Sequence, residues 1–486
     1  MKTWIIAITA TLSLIFSGDS IAVRPLVLID AVLPGPTPFI SFVTLRLSDP
    51  ANLSTINFNI RPKKGSRTRA VSATYTSAYL QGAGYFDPLG GGKVTVPIFG
   101  LYQNRQNTVT VTSTFTGGAT QRNKVSITTA AFDGGTYTSP TIVTARSRST
   151  TLSYDFILLK GTISDNTPVI IDSDSEVRWV GSAGRGGQQA IIFDNAIYTS
   201  GVPASLIRLD FDGRTQTVAD YTSIGVTGFH HNFDYGRNGI LVEVDTAAWV
   251  ESINFEVGAT GGVLKQWNLP DIVSTAMIAG GDDPAQFVYP APSDWFHNNA
   301  CAYRPSDDSL IISGREDFVI ALDYDTGIIK WILGDTTKHW FQFPSLAAYS
   351  LTLGPDTLAP IGQHAISIFN DELLLFDNGT PSLTQQPPGD ARTYSAPRKY
   401  SIVGNTATEV YHYLITPSIK SSFCSSVYED TTDNYLIDYT QANNLSTDLV
   451  ALDNTGAIVF YYKYVQNGCG TAYNSSPVHL ENMQFN

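Results

Sequence analysis

His297, Asn299 and Arg315 lie close together in one stretch, Asp294-Trp-Phe-His297-Asn-Asn299 followed by Ser313-Gly-Arg315-Glu-Asp317. A strand that only fills a sheet needs neither an imidazole before it nor a guanidinium after it. Two further histidine motifs flank this one, His230-His231-Asn232 and Gly362-Gln363-His364. Imidazole can ligate a metal, carry a proton or act as a nucleophile. A guanidinium brought to the same place opposes a divalent cation and favours an anion with several oxygens. Histidine, arginine and an amide therefore suit a sulfate or phosphate ester. Transfer of such a group needs an in-line nucleophile and donors that neutralise its oxygens. One histidine can form the nitrogen-linked intermediate, and another can protonate the leaving oxygen and later deprotonate the acceptor.

Residues so far apart meet only if the elements that carry them repeat around an axis. HHNFDYGRNGILVEV, HNNACAYRPSDDSLIISG, QHAISIFNDELLLFDNG and the degenerate SSVYEDTTDNYLIDYT read as one unit, a polar start, a strand, a turn and a second strand. SLIRLDFDGRTQT, FVIALDYDTGIIKW and LVALDNTGAIVFYY read as its second half. A recurring multi-strand unit predicts a β-propeller, and blades of ~40–50 residues make residues 159–486 about six of them. The first strand of each blade lines the central channel. His230 or His231, His297 and His364 hold corresponding places there, with Ser425 or Ser426 in the degenerate copy. His339, His412 and His479 fall outside the motifs and read as ordinary loop, strand or surface residues.

Residues 23–158 have another texture, short period-two runs such as KVTVPIFGLY and NTVTVTSTF separated by Gly and Pro turns, which predict a β-sandwich-like domain. The fold class expected is all-β, a six-bladed propeller behind an N-terminal sandwich. A net charge of −13 with no basic stripe argues against a nucleic-acid partner and requires a local positive site for any anion. Residues 1–22 carry Lys2, an apolar run and Ser20-Ile21-Ala22, the pattern of a cleaved signal peptide, so the protein is expected to be exported, periplasmic or secreted. No later segment predicts a membrane span. Of three cysteines, Cys424 and Cys469 are the favoured disulfide, since Cys301 sits beside the histidine motif. Sequons occur at Asn52, Asn378, Asn444 and Asn474.

The ordered succession of Trp295-Phe-His297-Asn-Asn299, Ser313-Gly-Arg315-Glu-Asp317, Leu322-Asp323, Gly327, Lys330-Trp331-Ile-Leu-Gly334, Gly362-Gln-His364 and Leu374-Leu-Phe-Asp377-Asn-Gly379 resembles the bacterial arylsulfate sulfotransferases. The likeness is dense from Asp294 to Gly379 and looser from about residue 160 to the C-terminus. It implies a sulfuryl transfer from a phenolic sulfate ester to a phenol by a ping-pong route, without a nucleotide donor, a cofactor or a metal. Consistent with that, GSAGRGGQQA reads as a flexible loop and not as a phosphate-binding one. By the resemblance, His364 is the residue transiently sulfurylated, His297 and Arg315 bind and neutralise the sulfate, Asn299 is a polar contact, and His230 or His231 is a further active-site histidine. A homodimer is also implied.

Two departures bear on rate. Ala365 follows His364 where an acidic residue is common, and HHN replaces a common HHD at Asn232. Two missing carboxylates would lower histidine basicity. A non-catalytic ligand-binding propeller is the alternative reading, and a metal hydrolase built on the histidine cluster a weaker one. The tyrosines of TYTSAYLQGAGYF are candidates for the channel mouth.

Overall fold

The computed structural model describes residues 25–148, 151–162, 168–181 and 187–486. The expected signal peptide and residues 182–186 of the glycine-rich loop lie outside the described residues.

Alternation of apolar and polar residues builds the N-terminal region. In Gln106–Phe115 every second side chain points inward, as a half-buried strand requires. Val27–Pro34, Ile40–Leu47 and Lys93–Phe99 form one antiparallel sheet. Leu53–Ile60, Val71–Thr76, Gln106–Phe115 and Thr120–Thr128 form the other, extended by the C-terminal Met483–Phe485. Val43, Leu45, Phe58, Val96 and Val111 fill the space between them. Each such side chain stabilises the domain by roughly 1.5–3 kcal/mol through burial. One short helix, Ser77–Gly82, interrupts the strands and is capped by the Thr76 hydroxyl.

From Thr141 onward the described residues form six sheets in chain order, five built round an antiparallel four-stranded meander and the first completed by a C-terminal strand, with Thr352–Leu353 adding in parallel to the fifth. The chain is thus a β-propeller joined to an N-terminal sandwich. The four polar-start repeats read from the sequence are the first two strands of the third to sixth sheets, beginning at Val226–Tyr235, Asn298–Arg304, His364–Phe369 and Ser426–Glu429. The second-half repeats are the third and fourth strands of the second, fourth and sixth sheets. The first sheet, Phe156–Lys160 with Val169–Asp172 and Val177–Val180, takes its remaining strand from the far end of the chain, Asn474–Val478.

The expected boundary after residue 158 falls inside Phe156–Lys160. Thr141–Thr144 already pairs with Tyr461, Tyr462 and Lys463 of the sixth sheet, so the changeover lies between Thr128 and Thr141. Its Thr- and Val-rich texture matches the sandwich strands, while its hydrogen-bond partner is distant in sequence. The two regions share a core. Phe99 stacks on Phe211 at 4.8 Å, and Arg178 lies 3.7 Å from the Tyr102 ring while donating to the Gly100 carbonyl at 2.7 Å. The tyrosines considered for the channel mouth belong here instead. Tyr75 is buried in the sandwich core, Tyr79 and Tyr85 pack against it, and the Tyr85 hydroxyl donates to Asp212 at 2.7 Å.

Candidate active site

The same device presents the polar residue of each repeat. The pairing of the first strand with the second slips between His230 and Phe233, between Asn298 and Ala300, and between His364 and Ser367. Near each slip a non-glycine residue has positive φ: His231 (46°), His297 (56°) and Ala365 (51°), with Ser425 (80°) in the sixth sheet. A bulge of this kind turns a side chain out of the pleat and re-aims it, and such backbone conformations gather at functional sites.

The imidazoles converge. The His231 ring centroid is 4.7 Å from that of His297 and 6.4 Å from that of His364. His230 stands behind His231 at 5.8 Å, turned towards Asp245 and Glu251. Of the two adjacent histidines, His231 is thus the one beside His297 and His364.

His364 is fully enclosed. Its Nδ1 lies 2.8 Å from Asn378 Oδ1 and 3.2 Å from the Gly362 carbonyl. The Asn378 amide is oriented by donating to the carbonyls of Ser421 at 2.7 Å and Cys424 at 3.0 Å. Both neighbours of Nδ1 are therefore acceptors, so Nδ1 carries the proton and Nε2 the lone pair. Among the described residues, a long 3.3 Å contact from the Cys424 N–H is what reaches Nε2. Burial, then the charges of His231, His297 and Arg315, hold the imidazole well below its usual range. At neutral pH it is an uncharged base.

His297 has the opposite character. Burial alone would lower it, but hydrogen bonds to Asp294 and Glu251 outweigh that and raise it to about 9. It is cationic at neutral pH, with Nδ1 held by the carboxylates. His230 is likewise raised to about 10, its contacts with Asp245 and Glu251 overcoming burial. Glu251 reaches His230 at 2.7 Å and His231 and His297 at 2.8 Å each. Despite burial, these imidazoles hold it far below the usual carboxylate range. His231 is lowered by burial, and its Nδ1 meets the Tyr473 hydroxyl at 2.7 Å. Burial raises that phenol well above its usual value, so the hydroxyl donates to Nδ1 and His231 Nε2–H donates to Glu251.

Arg315 pairs with the adjacent Glu316 through Nη2. Its Nη1 is buried and has no hydrogen-bond partner among the described residues. The guanidinium lies 5.3 Å from the ring of half-buried Phe423. One half of the fork is thus anchored and the other unspent. Asn299 is buried, and its amide donates to the Gln363 carbonyl at 2.7 Å. This ties the fourth sheet to the residue preceding His364.

The carboxylates that looked missing at Ala365 and Asn232 are supplied from elsewhere. Glu251, Asp245 and Asp294 serve the histidines, and Asn378 orients His364. Sequence reasoning noted Asn378 only as a sequon within the LLLFDNG motif, and it missed Glu251, Asp245, Asp294 and Tyr473. Asn378 and Asn474 are fully buried, so neither accepts a glycan in this fold. His412 pairs with Glu409, and His479 with Asp430 and Glu481. Cys424 and Cys469 form a disulfide, Cα atoms 6.1 Å apart, and Cys301 is free and buried.

Two donor groups, His230, His231, Glu251 and Glu251, Asp294, His297, each gather within 4.8 Å. They share Glu251, and a metal there would have to displace the protons that its carboxylate neighbours hold on His230 and His297.

Residues 141–469 match the arylsulfotransferase (ASST) family. The chain belongs to that family. Residues 44–130 match the arylsulfotransferase Ig-like domain. This arylsulfotransferase matches no curated protein. Among solved structures it is similar to BamB from Moraxella catarrhalis, at 13% identity over 47% of each chain with a TM-score of 0.24. A Bacteroides thetaiotaomicron structural-genomics protein of unknown function is matched at 10% identity over 90% of this chain and 98% of that one, TM-score 0.31. The β-propeller domain of Cps50 (Swd1) from Myceliophteria thermophila is matched at 13% identity over 66% and 88%, TM-score 0.36. Phenolic sulfates and phenols are the substrates the family suggests. Among the described residues no helix is long and apolar enough to cross a membrane.

Proposed function

We propose that this arylsulfotransferase works by two displacements at His364 Nε2, with no nucleotide sulfate donor, and that its six sheets are the blades of a propeller closed around the histidine cluster. The observation that carries the reading is the pinned tautomer, Nδ1–H on Asn378 with a neutral Nε2, on a ring that feels the charges of His297 and Arg315, the latter with its Nη1 unpartnered among the described residues.

The aryl sulfate enters as a monoanion. His297 and Arg315 gather charge on its equatorial oxygens as sulfur passes from oxygen to nitrogen. The Nε2–S bond forms, the S–O(aryl) bond breaks, and the electron pair leaves with the phenolate. His297, cationic at neutral pH, donates the proton that releases it as a phenol. The neutral His297 then takes the proton of the acceptor phenol. That oxygen attacks sulfur, the N–S pair returns to Nε2, and the new aryl sulfate departs. Glu251 holds His297 and His231 in place, Tyr473 fixes the His231 tautomer, and Asn299 steadies the backbone before His364. Phe423 offers an aromatic face at the rim. The N-terminal apolar run supports export.

Mass spectrometry after brief exposure to 4-nitrophenyl sulfate is the test. A sulfo adduct on the His364 peptide, with transfer abolished in His364→Ala, is expected. Full transfer by His364→Ala rejects the reading. Saturable binding without turnover or adduct would make the protein a non-catalytic ligand-binding propeller.

A further inference from the structure

Next in sequence to His231 and Tyr473, side chains of three sheets form a hydrogen-bonded plate. Lys160 Nζ donates to Asn232 Oδ1 at 2.9 Å, Asn232 Nδ2 to Asp234 Oδ1 at 2.7 Å, and Asn474 Nδ2 to the Tyr428 hydroxyl at 2.8 Å. Asn232 also lies 3.5 Å from that hydroxyl, and the Cys301 N–H ties Asp234 to the fourth sheet at 3.1 Å. Lys160, Asn232 and Asn474 are buried. Below the plate lies a cavity of about 290 Å³ lined by residues from the inner strands of all six sheets, Lys160, Ile191, Asp234, Tyr303, Ile368 and Tyr428 among them. None of the histidines lines it. Lys160, Asp234 and Tyr428 of the plate line it, while Asn232 and Asn474 adjoin His231 and its partner Tyr473 in sequence.

We propose that this plate determines transfer over hydrolysis, by keeping water in the rear cavity off the sulfurylated histidine. The inference rests on the proposed His364 mechanism. Sulfo-His364 is attacked by any oxygen nucleophile that reaches sulfur in line, and water far outnumbers a phenol. Attack by water forms a new O–S bond and breaks the N–S bond, whose pair returns to Nε2. Sulfate and two protons leave, and the donor is wasted. Exclusion of water is what prevents such a side reaction. The amide at residue 232 accepts from Lys160 and donates to Asp234 at once.

The test compares free sulfate with sulfated phenol formed from 4-nitrophenyl sulfate, with phenol as acceptor, in wild type, Asn232→Ala and Tyr428→Phe. Donor cleavage within a few-fold of wild type is expected, with the hydrolysis-to-transfer ratio rising at least tenfold in Asn232→Ala and several-fold in Tyr428→Phe. In ¹⁸O-water the released sulfate gains one solvent oxygen. An unchanged ratio in either folded variant overturns the inference while wild-type transfer leaves the mechanism standing. Loss of both reactions in Tyr428→Phe also overturns it, because the plate would then serve catalysis itself. Absence of sulfo-His364 in wild type defeats the mechanism instead.

Discussion

Replacing Asn378 with alanine removes the acceptor at His364 Nδ1 and the two donors that orient it. A neutral hydrogen bond contributes a net ~0.5–1.5 kcal/mol, which is roughly 2- to 13-fold in the balance between the two imidazole tautomers. The Gly362 carbonyl, 3.2 Å from Nδ1, retains part of the bias. The freed ring also loses its aim at sulfur, and misalignment of a reacting atom adds a similar or larger factor. The expected fall in the first-turnover rate is therefore about 10- to 50-fold, with little change in KM because Arg315 and His297 are untouched. Stability falls less than a count of bonds suggests. The Ser421 carbonyl still accepts from Ser395 Oγ at 3.0 Å, so only the Cys424 carbonyl is orphaned, a cost of about 1–3 kcal/mol. Stopped-flow release of 4-nitrophenolate in excess enzyme measures the first number, and urea unfolding the second. A folded variant whose first-turnover rate stays within twofold of wild type refutes the tautomer argument.

Proton positions also set the pH profile. His297 is protonated below about 9 and His364 stays neutral well below its usual value, so kcat/KM should hold through pH 6 and fall as pH rises through about 9. Glu251→Gln removes a carboxylate from His297 and should move that alkaline limb down by about one unit or more, seen in a rate profile from pH 6 to 10. Chelation should leave transfer unchanged, and a loss restored by added metal would favour a metal site around Glu251. The disulfide closes a loop of 45 residues and should contribute up to about 4 kcal/mol. Cys469→Ser should lower both the denaturation midpoint and the first-turnover rate, since Cys424 sits against His364.

The repeats were legible because the first strands of successive sheets share a marked start, and those starts are the histidines. Period two alone exposed the sandwich. What surrounds the histidines was less visible. Glu251 lies in the irregular stretch between Ile240–Thr246 and Ile253–Val257, outside the strands that carry the repeat. Tyr473 precedes a strand that pairs with the first sheet, so no nearby pattern announces it. Asp294, three residues before His297, and Asn378, just past the strand that pairs with His364–Phe369, could have been found by asking which acids and amides flank each imidazole.

The union of Asn474–Val478 with Phe156–Lys160 also orders events in time. A ribosome delivers His231, His297, Arg315 and His364 long before it delivers Tyr473 and the strand that completes the first sheet. A chain that stops short of residue 474 carries those side chains but leaves the first sheet without its last strand.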